Sequence, residues 1–98
     1  MFFKIHKSYR NVVAICDSEL IGRFFEEGIF QLDVKESFYK GQEAHEDEIG
    51  RIMVKMSVED ATFNIVGRKS VALAIKHGLV SEEGVKEISG VPFALVLL

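Results

Sequence analysis

The residues best able to do chemistry in this chain lie in one short run, Asn64-Ile65-Val66-Gly67-Arg68-Lys69-Ser70. An apolar, β-branched stretch ends there at a glycine, and two cations and a hydroxyl follow where a helical pattern begins. Backbone N–H groups left free in the first turn of a helix attract anions, and glycine lets a ligand approach the backbone closely. Arg68, Lys69 and Ser70 could then complete a phosphate or carboxylate site, with Asn64 beside it. The run is not a P-loop, because that spacing would need glycine at Thr62 and lysine at Arg68. The plainer reading gives Gly67 a tight turn and has Asn64 or Ser70 bond local backbone. Against it, two cations in a first turn oppose the helix dipole, which favours a role beyond packing.

Other runs offer weaker chemistry. Lys4, Lys7 and Arg10 form a basic stretch without an acid in residues 1–16 and could help the junction hold RNA. Phe38 and Tyr39, within Ser37-Phe38-Tyr39-Lys40-Gly41, could stack a nucleobase. In the plainer reading Phe38 plugs the core edge and Tyr39 is half exposed. His45-Glu46-Asp47-Glu48 holds metal-ligand types, but two ligands on one helix face do not make a site, and an acidic first turn already explains the run. Cys16 has no partner in sequence to lower its pKa and reads as a small buried hydrophobe. The sequence calls for no metal and no cofactor, and it favours a non-catalytic protein.

Composition bounds the setting. A chain of 98 residues, of which Leu, Ile, Val and Phe supply 35, makes one domain (1–98) with a core of its own. A single cysteine rules out an intrachain disulfide. The longest apolar stretch, residues 91–98, is too short to span a bilayer, and no signal-peptide pattern opens the chain, so a cytoplasmic protein that avoids membranes is expected. Net charge is −3, with residues 17–60 carrying twelve acids against five bases. A surface that wraps a polyanion from all sides is thereby excluded, while a local anion site is not.

The elements that must position these residues follow from periodicity. Residues 2–7 and 11–16 read as a hairpin, the second strand apolar on both faces and therefore central. Asp17 or Ser18 caps a short turn through Ile21, residues 26–28 turn again, and residues 29–34 form a strand with Phe30, Leu32 and Val34 on one face. Residues 37–43 read as a loop. A helix spans about 44–57 with Ile49, Ile52, Met53 and Met56 as its apolar stripe, an Asp47 to Arg51 pair outside, and Gly50 as an interior cost. Residues 61–66 are a strand, a second helix runs from Gly67 to about His77, and Gly78 ends it. Residues 85–88 are extended, 90–92 turn, and FALVLL closes as a strand that is either central or an edge covered by a second subunit, which suits a homodimer.

The phrases SFYKG (37–41), NIVG (64–67), LAIKHGLV (73–80) and GVPFA (90–94) resemble, in this order, a small family of uncharacterised archaeal proteins, domain of unknown function family 424. The likeness covers nearly the whole chain. It implies one α+β domain, no established activity, and through genes near translation genes a link to RNA or ribosome-associated proteins. Ser37, Phe38, Tyr39, Gly41, Asn64, Gly67, Gly90, Val91 and Pro92 match. Phe93 and Leu95 depart, standing where the family phrase has His and Gln.

The fold expected is α+β, a two-layer sandwich of about five mainly antiparallel strands with two amphipathic helices on one face. The function expected is an interaction module touching RNA or a ribonucleoprotein at Gly67-Arg68-Lys69-Ser70 with Lys4, Lys7 and Arg10. Two alternatives stand beside it: a small-molecule or enzyme site using the same junction with Asn64 and Tyr39, and a homodimeric adaptor without ligand.

Overall fold

Two five-residue runs of apolar, β-branched residues set the centre of the molecule. In the computed structural model, which describes residues 1–97, β2 (Val12–Cys16) and β6 (Thr62–Val66) lie side by side and parallel, with Val12 opposite Thr62 and Cys16 opposite Val66. Val13, Ala14, Ile15 and Cys16 are completely buried, as the two-faced apolar pattern of that run requires. β1 (Phe2–His6) pairs antiparallel with β2 through the short connection expected, in which the Ser8 hydroxyl donates to the Arg10 carbonyl. On the other side β8 (Val91–Val96) runs antiparallel to β6, and β7 (Lys86–Ile88) closes that edge. The short β5 (Gln42–Glu43) closes the edge beside β1, giving a six-stranded sheet in the order β5-β1-β2-β6-β8-β7. The α+β class and the mainly antiparallel sheet are as read from the sequence, with six strands for about five.

The helices cover one face. α2 (Glu46–Val58) and α3 (Arg68–Lys76) bury Ile49, Met53, Met56, Val71, Leu73 and Ala74 against Val13, Ile15, Phe63 and Ile65. Gly50 sits where the helices meet: a Cβ there would lie 2.6 Å from His77 Nε2, so a side chain rather than a neighbouring backbone occupies the space that glycine leaves. The expected Asp47–Arg51 pair does not form. Lys40–Glu36, at 3.5 Å, is the one ion pair among the described residues.

The opposite face carries a second layer, of which only the strand at residues 29–34 is read from the sequence; Phe30, expected on one face with Leu32 and Val34, is exposed. β3 (Phe24–Glu27) and β4 (Phe30–Asp33) form a separate hairpin with Glu27 opposite Phe30, so the turn falls at Gly28-Ile29 and Ile29 is an exposed loop residue rather than the start of a strand. Phe25, Leu32 and Val34 from this layer pack with Ala14, Cys16, Val66 and Ile88. The segment read as a loop, residues 37–43, instead holds most of one helical turn, α1 (Glu36–Tyr39), and the short β5. The last strand begins earlier than expected, at Val91, and lies inside the sheet; Leu98, the end of the FALVLL run, falls outside the described residues. No helix among the described residues is long and apolar enough to cross a membrane.

Replacing an interior helical glycine by alanine gains about 1 kcal/mol of propensity where space allows. Gly50→Ala in a His77→Ala background is therefore expected to raise stability by about that amount, and alone to gain clearly less because the His77 ring must move. Urea denaturation of the four proteins of this cycle measures the difference.

Candidate functional site

Parallel pairing of β2 and β6 brings their carboxyl ends together, and with them Asp17 and Gly67. Asp17 is 4% exposed and does not cap its own short turn. Its carboxylate instead reaches the start of α3, accepting the Lys69 N–H at 3.1 Å, the Ser70 N–H at 2.9 Å and the Ser70 hydroxyl at 2.7 Å. The anion that this helix N-terminus attracts is thus the protein's own. Gly67 makes the approach possible: its φ is +111°, and a Cβ there would lie 2.6 and 2.7 Å from the two Asp17 oxygens. Its N–H donates to the Pro92 carbonyl at 2.8 Å, which ties the phrases NIVG and GVPFA together.

This geometry corrects the junction expected from sequence. Ser70 is buried and spent on Asp17, and the Lys69 and Ser70 N–H groups are not open to a ligand. Asn64 lies two residues down β6, opposite Ala14 and Leu95, on the face that carries the hairpin layer and the departing residues Phe93 and Leu95. What remains at the junction is a pocket of about 260 Å³ with Leu20, Gly67, Val91 and Pro92 in its walls and Glu19, Arg68 and Lys69 among its charged residues. Equal numbers of acids and cations, counting Asp17, leave it without the excess positive charge of an anion site.

Nor do the expected bases form one patch. The turn carrying Lys7 and Arg10 precedes β2, whereas Arg68 follows β6, so the length of a five-residue strand, about 16 Å, separates them. Lys4 donates to the Ser37 carbonyl at 2.8 Å. The aromatic pair also reverses its expected roles. Tyr39 is buried, and Phe38 stacks on His6 at 4.4 Å between ring centroids while its carbonyl lies 2.8 Å from His6 Nε2. Burial pushes the Cys16 thiol up to about 12, with Asp17 adding to the push, and it raises Tyr39 likewise to about 12, with Cys16 second. Cys16 is a packed thiol, not a nucleophile.

A different set of cations comes together on the helical layer. Between α2 and α3 runs a groove of about 430 Å³ lined by Arg51, Lys55, Lys76 and His77 above Gly50, Val54 and Leu73, with Glu46 and Asp47 also on its wall. It continues past Leu73 and Lys76 to Lys69, with Glu46 on the wall of this stretch as well. None of Arg51, Lys55, Lys69 and Lys76 has a carboxylate within 4.0 Å among the described residues. The sequence hides this cluster because Arg51 has an apparent partner in Asp47, and because the two helices are joined only through β6.

A family model described as a protein of unknown function (DUF424) matches residues 5–98. The chain is also similar to a crystal structure of an uncharacterised conserved protein from Methanopyrus kandleri, at 24% identity over 98% of this chain and 90% of that one, with a TM-score of 0.82. That likeness carries the fold. No curated protein matches.

Two outcomes follow from the junction. Gly67→Ala forces a side chain into the Asp17 carboxylate at a positive φ and is expected to lower unfolding free energy by about 3 kcal/mol or more in urea denaturation. Cys16 and Tyr39 ionise more readily unfolded than folded, so their contribution is full below about pH 9 and lost as pH rises towards 12. Stability should fall over that window by up to about 1.4 kcal/mol per pH unit for each group. Tyr39→Phe and Cys16→Ala should each flatten the slope, whatever they do to stability at neutral pH.

Proposed function

We infer the function of this chain, which belongs to the DUF424 family of proteins of unknown function, from its own geometry: it is a non-catalytic interaction module that holds RNA, alone or in a ribonucleoprotein, on its helical layer. The observation that carries the reading is the unpaired set Arg51, Lys55, Lys69 and Lys76 along one groove. In a chain of net charge −3 these cations had acids to pair with, Asp47 one turn from Arg51 among them. Gathered without partners they repel one another, and a phosphate backbone supplies the missing charge. Arg68 extends the surface beyond Lys69. Glu46 and Asp47 repel phosphate and limit the path on their side of the groove. Lys7 and Arg10, in the turn at the far end of the sheet, and Lys4, midway along β1 and bonded to the Ser37 carbonyl, make at most a separate contact. An RNA partner is consistent with a cytoplasmic protein.

A second reading is favoured by one observation, the 260 Å³ pocket beside Asp17 where two of the matched phrases converge. It suits a small molecule with an apolar body, without Asn64 or Tyr39, which do not line it. The homodimer reading keeps a narrower basis: β8 pairs with β6 over residues 93–96 but with β7 only over residues 91–93, so among the described residues one side of 94–96 has no strand beside it, and a second subunit would pair there.

The test is RNA binding by fluorescence anisotropy across a salt series. Arg51→Ala/Lys55→Ala/Lys76→Ala should weaken binding by about tenfold or more and reduce the log–log salt slope by roughly 0.7 to 0.9 for each phosphate no longer neutralised. Lys4→Ala/Lys7→Ala should change it little. Unaltered binding by the triple variant would overturn the reading.

A further inference from the structure

We propose that the groove between α2 and α3 reads the backbone of a double helix and not its bases, an inference that rests on the RNA-binding role above. Two features carry it. The first is the absence of a stacking platform. Proteins that hold single strands rely on rings against which bases lie. Among the described residues the one ring on this groove is His77, held with its Nε2 edge against Gly50. The exposed aromatics lie elsewhere: Phe24 and Phe30 on the hairpin covering the opposite face of the sheet, and Tyr9 in the β1–β2 turn. A single strand laid along the groove would expose its bases to water and gain only charge neutralisation.

The second feature is the arrangement of the cations in two rows. Arg51 and Lys55 stand one turn apart on α2, about 6 Å along its axis, and Lys69 and Lys76 stand two turns apart on α3, about 10 Å. Packed helices lie about 8–10 Å apart between axes, so the rows flank the groove on either side. A duplex presents phosphates in two rows across a groove, and proteins that bind double-stranded RNA by shape contact such rows together with sugar hydroxyls. Between the rows the floor is Gly50, Val54 and Leu73, none of which carries a side-chain donor or acceptor for a base edge.

The experiment uses the full chain with a labelled RNA duplex of about 16 base pairs, its separated strands, and a DNA duplex. The RNA duplex should bind about fivefold or more tighter than either strand and within about twofold across unrelated sequences. A 2-aminopurine placed in the strands should keep its fluorescence on adding protein. Tighter binding of a single strand, or quenching of the probe, would overturn the backbone readout while leaving RNA binding intact. Preference for the DNA duplex would keep the backbone readout and overturn RNA as its source. Binding to none of the three would overturn the RNA-binding role itself.

Discussion

The fold is organised around one carboxylate. Asp17 is almost completely buried, and a charge so placed is tolerated only where strong donors meet it. It finds two backbone N–H groups and a hydroxyl at the start of α3, where the helix dipole adds to the attraction. This contact fixes the end of β2 to the start of α3, and Gly67 fixes β6 and β8 to the same point through its hydrogen bond to Pro92. Four elements therefore share one anchor. The same contact decides what the junction cannot do, because the helix end most suited to a phosphate already holds an anion.

Much of the architecture is legible in the sequence because it depends on local pattern. The stripe of Ile49, Ile52, Met53 and Met56 defines α2, and Val13 to Cys16 announce a central strand. The hidden parts depend on contacts between distant residues. Asp17 and Ser70 are 53 residues apart, and nothing local says that the strand end carrying one will lie beside the helix start carrying the other. The β3–β4 hairpin escapes a reading of pattern since Phe24 is largely exposed and Glu26 and Glu27 resemble turn residues, which leaves Phe25 with no visible alternation. Phe38 and Tyr39 exchange places because one helical turn, α1, rotates the tyrosine inward and leaves the phenylalanine to stack on His6. Spacing assigns Arg51 to Asp47, whereas the helix partner across the groove sets its surroundings.

The candidate site moves accordingly, from the tip of α3 to its flank. The sequence identifies the correct helix and the correct kind of group, since Lys69 belongs to both readings. It cannot add Arg51, Lys55 and Lys76, because only tertiary packing sets α2 beside α3. The division of labour between the two faces is also tertiary: apolar rings gather on the hairpin side, and Arg51, Lys55 and Lys76 gather along one groove on the helical side.

The parallel pairing of β2 with β6 bears on how the chain reaches this state. Val12 must meet Thr62 across a connection that includes the hairpin, α1, β5 and α2, so closing the sheet costs more loop entropy than any neighbouring contact. Topologies rich in such distant contacts fold slowly for their size. During synthesis the first hairpin waits with one side of β2 unpaired, a ladder of apolar residues open to other chains, until β6 emerges behind α2. The interval between those two strands is when this small domain is most exposed to aggregation.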